Sequence, residues 1–188
     1  MARPGRLIAI EGADGSGKGT QARRLLRRLR REGRPADLIS FPGYKRSFFG
    51  GLVGSYLRGE LGEATALDPR MVSVLYACDR WQARGRILKQ LDAGGIVICD
   101  RYVDSNKAHQ AARLPAAADR RAFYRWVDRL EYGVLGLPRA DLTIFLYVPT
   151  DVARELIGRK GRRAYLRGGQ RDAHEADGHR RPRGEHEA

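Results

Sequence analysis

The chain has 188 residues, enough for one domain with a full hydrophobic core, and its 42% hydrophobic and 31% charged content excludes a disordered, low-complexity or membrane-embedded chain. Lys and Arg number 36 against 22 Asp and Glu, a net charge of +14 that points to anionic partners: nucleic acid, acidic membrane or phosphate-bearing small molecules. The two cysteines, Cys78 and Cys99, show no metal-ligand or C-x-x-C spacing, and Glu11 interrupts the first apolar run far short of a signal peptide or membrane span. A cytoplasmic protein without membrane attachment is expected.

Along the chain, short apolar runs rich in β-branched residues at 7–10, 38–41, 96–99 and 142–148 predict buried strands. The first helix is expected over 20–31, where Ala22, Leu25, Leu26 and Leu29 share a face and arginines cover the other, with Gly33 as the stop. A helix at 47–57 follows. Asp68 then Pro69 reads as an N-cap with proline at the first helical position, opening a long helix through Tyr76 and Trp81 toward Leu91. Two more helices are expected at 104–113 and 118–135. Strands alternating with helices imply right-handed crossovers, hence an α/β three-layer sandwich with a parallel sheet and ligands beyond the carboxyl ends of the strands.

The segment from Gly12 to Thr20 (GADGSGKGT) follows the first strand and opens the first helix, which is the context of a P-loop NTPase phosphate-binding loop. Backbone N–H groups of Gly12, Ala13, Asp14, Gly15, Ser16, Gly17, Lys18, Gly19 and Thr20 would cradle ATP phosphates, with Lys18 a point charge against the β- and γ-phosphates. Gly19 stands where the strict pattern has Ser or Thr, and the hydroxyl comes one place later at Thr20, a candidate magnesium ligand. Asp100, at the end of the third strand, is the other candidate Mg2+ ligand, and Arg101 beside it can grip a second phosphate.

The ordered blocks EGADGSGK (11–18), FPGY (41–44), YACDR (76–80), DRYVDSN (100–106) and LGLP (135–138) resemble those of thymidylate kinases, members of the nucleoside monophosphate kinase-like group, over residues 7 to about 148. The resemblance implies ATP as phosphoryl donor, dTMP as acceptor and a homodimer. It also implies roles: Asp14 at the sugar 3′-hydroxyl, Phe41 and Tyr76 flanking thymine, Arg80 and Asn106 at its polar edge, Ser105 beside them, and Tyr44 and Arg101 at the acceptor phosphate. Read singly, the plainer reading is favoured: Phe41 and Tyr76 as core aromatics, and Arg80 as a partner of Asp79. The family carries its phosphate-clamping arginine either in the loop or in a lid. Gly15 and Ser16 leave the loop without one, so the resemblance places it among Arg159, Lys160, Arg162, Arg163 and Arg167, with Arg159 and Arg163 the chosen candidates. His109 stands where relatives often place a tyrosine near the sugar.

The division expected is a P-loop kinase core at 1–150, an arginine-rich lid at 151–177 and a polar, disordered tail at 178–188, where the family continues with a helix and a fifth strand of the adenine pocket. Three alternatives to dTMP phosphorylation stand at this point. They are a nucleotide-binding protein with little or no activity, another nucleoside monophosphate kinase, and a basic nucleic-acid-binding domain. The arginine run at 23–34 lacks interleaved aromatics and reads as a solvated helix face.

Overall fold

The computed structural model describes residues 5–62 and 66–159. Within them, β1 (Arg6–Gly12), β2 (Ala36–Ser40), β3 (Ile96–Asp100) and β4 (Leu142–Leu146) form one parallel sheet in the order β2-β3-β1-β4. Both faces of the central strands are apolar, as parallel strands covered by helices require. Leu7 and Ala9 of β1, with Val97 and Cys99 of β3, pack on one side with Ile87, Val103, Phe123 and Val127. Ile10, Ile96 and Ile98 pack on the other with Ala22, Leu25, Leu26 and Leu29. The expected three layers are present: α1 (Lys18–Arg31) covers the second face, and α3 (Pro69–Asp92), α4 (Val103–Ala111) and α5 (Ala117–Asp128) cover the first. Each fully buried Leu, Ile or Phe in these layers contributes roughly 1.5–3 kcal/mol relative to leaving it in water.

The remaining helices are α2 (Phe48–Leu57) and α6 (Thr150–Arg159). Ser47 caps α2 by accepting from Gly50 N at 2.9 Å, and Asp68 caps α3 through Arg70 N with Pro69 at the first position, as its sequence predicts. α2 and α3 meet in a separate apolar cluster of Val53, Tyr56, Leu57 and Val72.

Three local expectations change. The helix expected over 118–135 ends at Asp128 and continues as a π-helical turn, Arg129–Val134, closed by Gly136 at φ 61°. The wider turn sets the carboxylate of Glu131 fully inside the protein, a placement considered below. The fourth strand stops at Leu146, with Tyr147 outside the sheet and largely exposed. The start of the expected lid is a helix, Thr150–Arg159, which the sequence reading did not place; Ala153 is buried and its N–H bonds the Pro149 carbonyl at 2.9 Å. The expected lid residues Lys160, Arg162, Arg163 and Arg167, the side chain of Arg159 and the tail at 178–188 lie outside the described residues. Among the described residues, no helix is long and apolar enough to cross a membrane.

Candidate active site

The loop between β1 and α1 takes its shape from three glycines in the left-handed half of backbone space: Gly12 (φ 145°), Gly15 (φ 83°) and Gly17 (φ 86°). At Gly12 a side chain is doubly excluded, because a Cβ would lie 2.5 Å from the Leu146 carbonyl oxygen of neighbouring β4. Gly17 is the N-cap of α1 and offers no side-chain cap, so the helix N-terminus opens directly onto the loop. Ser16 Oγ is buried and unpartnered among the described residues, a polar atom that a phosphate oxygen would satisfy.

Lys18 folds back across this loop, donating to the carbonyls of Gly12 at 2.9 Å and Ala13 at 2.7 Å. Burial of the ammonium lowers its pKa to about 8. The Arg101 guanidinium adds to that shift, while Asp14, Asp100 and Glu11 oppose it. A second anion in the loop would offset the loss of water around this cation.

The β1–β3 pairing places Ile10 opposite Asp100, which brings the Asp100–Arg101 pair to the loop. Asp100 Oδ2 stands 2.9 Å from the position a Cβ on Gly19 would take. This explains the departure from the strict loop pattern: any side chain at 19 would displace the carboxylate. Arg101 holds an uncommon non-glycine φ of 67° and donates to Ser105 Oγ at 3.1 Å and to Asp14, with His109 Nε2 3.3 Å away. The guanidinium is thereby aimed across the mouth of the loop.

Glu11, the last buried residue of β1, organises the start of α4. Its Oε1 accepts from Tyr102 N at 2.7 Å and Ser105 N at 3.3 Å, and its Oε2 from the Ser105 hydroxyl at 2.5 Å. Tyr102, the N-cap, provides no side-chain cap to this helix, so a carboxylate from another strand satisfies its orphan N–H groups and suits its positive end. Sequence inspection missed this role. The only available signal is an acid interrupting an otherwise apolar strand.

The turn after β2 is held in a similar way. Asp79 of α3 accepts from Gly43 N at 2.9 Å and from the Ser47 hydroxyl, fixing a segment that contains the cis Phe41–Pro42 peptide. Arg80 corrects one expectation: its partner is Glu131, not Asp79. Arg80 Nε and Nη2 meet the two Glu131 oxygens, each at 2.5 Å, with the residues 2% and 0% exposed. Burial opposes the charge on Arg80, but the Glu131 carboxylate outweighs it and holds the guanidinium protonated. Phe41 is buried with its ring centroid 6.2 Å from that of Tyr102, while Tyr44 and Tyr76 lie partly buried against the α2–α3 cluster. Asn106 donates to Glu131 Oε1 at 2.9 Å and to the Ser73 carbonyl at 3.2 Å. Of the residues expected at the base, Arg80 and Asn106 are thus joined through one carboxylate.

A glycine-rich strand-to-helix loop with its lysine, an Asp-Arg pair on the adjacent parallel strand and a basic side chain spanning the gap define a P-loop kinase of the nucleoside monophosphate kinase type. A family model described as thymidylate kinase matches residues 10–176. Two thymidylate kinases of Mycobacterium tuberculosis are 38% identical over 171 residues, covering 91% of this chain and 78% of theirs. The thymidylate kinase of Homo sapiens is 32% identical over 145 residues, covering 77% of this chain and 62% of its own. A solved thymidylate kinase from Candida albicans superposes with a TM-score of 0.66 at 30% identity, covering 84% of this chain and 68% of that one. The chain belongs to the thymidylate kinase family.

Proposed function

We propose that the protein transfers the γ-phosphoryl group of ATP to dTMP, giving dTDP and ADP. The observation that carries this reading is the convergence of Lys18, Asp100 and Arg101 on one loop, with Arg101 tied to Asp14 across its mouth. A phosphate oxygen of dTMP attacks the γ-phosphorus as the bond to the β–γ bridging oxygen breaks, and ADP leaves with the electron pair. Little covalent chemistry falls to the protein. Loop N–H groups and Lys18 hold the donor, Arg101 holds the acceptor phosphate with Tyr44 nearby, and neutralised charge lowers the barrier. Magnesium bound with ATP would supply positive charge against the phosphates during transfer. Asp100 and Thr20 are the protein groups that fit it, consistent with an ion that keeps most of its shell as water and phosphate. Among the described residues there is no cluster of three or more His, Cys, Asp or Glu that could hold a metal alone.

The same reading gives Asp14 the sugar 3′-hydroxyl, Phe41 and Tyr76 the faces of thymine, Arg80, Ser105 and Asn106 the acceptor pocket, and arginines at 159 and 163 the closing lid. An intact loop, Asp100 and Arg101 favour turnover over a merely nucleotide-binding protein. The cytoplasm, where ATP and dTMP meet, is the proposed location. Phe48, Met71 and Trp81 leave large apolar surfaces exposed on α2 and α3, which supports a two-fold homodimer through these helices. Coupled measurement of ADP release with ATP, magnesium and each nucleoside monophosphate tests the activity. No turnover with dTMP above that with other monophosphates would overturn it. Light scattering that reads a monomer at micromolar concentration would remove the dimer.

A further inference from the structure

Asn106 is held by both hydrogens of its amide. Nδ2 donates to the Ser73 carbonyl and to Glu131 Oε1, two groups that can only accept. Turning the amide over would press its oxygen against a carboxylate and a carbonyl, so a single orientation is allowed. Asn106 Oδ1 is left buried and, among the described residues, without a hydrogen-bond partner. A buried acceptor in that state carries a desolvation cost that an incoming donor would relieve.

Glu131 imposes the orientation together with the Ser73 carbonyl, and it is the one of the two that a side-chain substitution can change. It is fully buried, it engages Arg80 through both oxygens, and Oε1 serves Arg80 Nη2 and Asn106 Nδ2 together. It reaches this point because the backbone from Arg129 to Val134 widens into a π turn.

We infer that Glu131 is a positioning residue that sets base specificity: by consuming the Asn106 NH2 it leaves Asn106 an acceptor only, matched to the imide N–H of thymine or uracil. The corresponding ring nitrogen of cytosine is itself an acceptor, and the same geometry rejects it. This inference rests on the proposed dTMP reading and on Asn106 meeting the base.

The test compares dTMP with dCMP in wild type, Glu131→Gln and Glu131→Asp, with kcat and KM measured for each acceptor and for ATP. If wild type does not phosphorylate dTMP, the underlying reading fails, whatever the variants do. If it does, Glu131→Gln replaces an acceptor-only group by one that can present NH2 to Asn106, which removes one of the two constraints on the amide and leaves the Ser73 carbonyl to hold it alone. The preference for dTMP in kcat/KM is then expected to fall at least about tenfold, through KM, with the KM for ATP unchanged. Glu131→Asp keeps an acceptor-only carboxylate with shorter reach. It should raise the KM for dTMP while holding the dTMP preference within about threefold of wild type. A preference unchanged in Glu131→Gln, or constants for ATP and dTMP that worsen together, would overturn the inference. Should Glu131→Gln show no cooperative melt by circular dichroism, Glu131→Asp decides. A raised KM for dTMP with that for ATP unchanged supports the inference, and both unchanged or both raised overturns it.

Discussion

Asp100 Oδ2 and the bare Cα of Gly19 face each other so closely that a methyl group on Gly19 would lie 2.9 Å from the carboxylate oxygen. The glycine therefore clears space for the acid on the neighbouring strand. Gly19→Ser would restore the strict loop pattern yet drive Asp100 aside. The displaced group is the end of a side chain, so the fold should survive. Turnover is expected to fall about 10- to 100-fold, in the range of losing one electrostatic contact to the transition state. Single-turnover kinetics beside a thermal melt would check it; wild-type turnover would show that Asp100 is dispensable.

Lys18, with its pKa lowered to about 8, gives ATP binding a pH signature. Above pH 8 the free loop holds a partly neutral lysine, and phosphate binding restores the proton. Proton uptake on ATP binding between about pH 8 and 9 should follow, read by calorimetry in buffers of different ionisation enthalpy. Lys18→Met should abolish both this uptake and phosphoryl transfer. For stability the sign is the reverse of a stabilising ion pair. The unfolded chain binds this proton more tightly between about pH 8 and the ordinary lysine value of 10.5, so this group's contribution rises with pH across that window.

The buried Arg80–Glu131 pair predicts an asymmetry between breaking and replacing it. Arg80→Met alone strands a carboxylate that is 0% exposed and should cost roughly 3–5 kcal/mol in urea unfolding. Adding Glu131→Gln removes the stranded charge and should recover most of that loss. Equal stabilities for the single and double variants would contradict a buried charge as the cause.

Arg101→Ala should act on the acceptor alone. The side chain crosses the loop mouth to Asp14 and Ser105, and near pH 7 Lys18, with its pKa of about 8, stays mostly protonated whether or not the Arg101 charge is beside it. Loss of a charge-assisted contact predicts a KM for dTMP raised about tenfold or more, with ATP affinity nearly unchanged. Separate titrations by calorimetry would distinguish this from a general loosening, which would weaken both.

Much of the phosphate side of the site is legible in the chain because its signals are local. Four glycines, a lysine and a helix start lie within nine consecutive residues, and the Asp100–Arg101 pair follows from a strand's end. The α/β alternation likewise rests on apolar runs and on caps such as Asp68–Pro69, whose physics involves only near neighbours. The acceptor side depends on contacts between distant residues. Glu11 reads as an acid in an apolar strand, and only the parallel pairing of β1 with β3 places it at the start of α4 to serve as its cap. Arg80 has an acid next to it in sequence, yet successive helix positions point different ways: Asp79 reaches the Gly43 turn, and Arg80 reaches Glu131 across the core. Helical periodicity through 118–135 gives no sign of the π turn that delivers Glu131, because a widened turn is imposed by what the side chain meets when the helices pack. Local backbone chemistry thus determined where phosphate can bind, while the orientation of Arg80 and Asn106 was decided by packing, since each partner there lies on a different element.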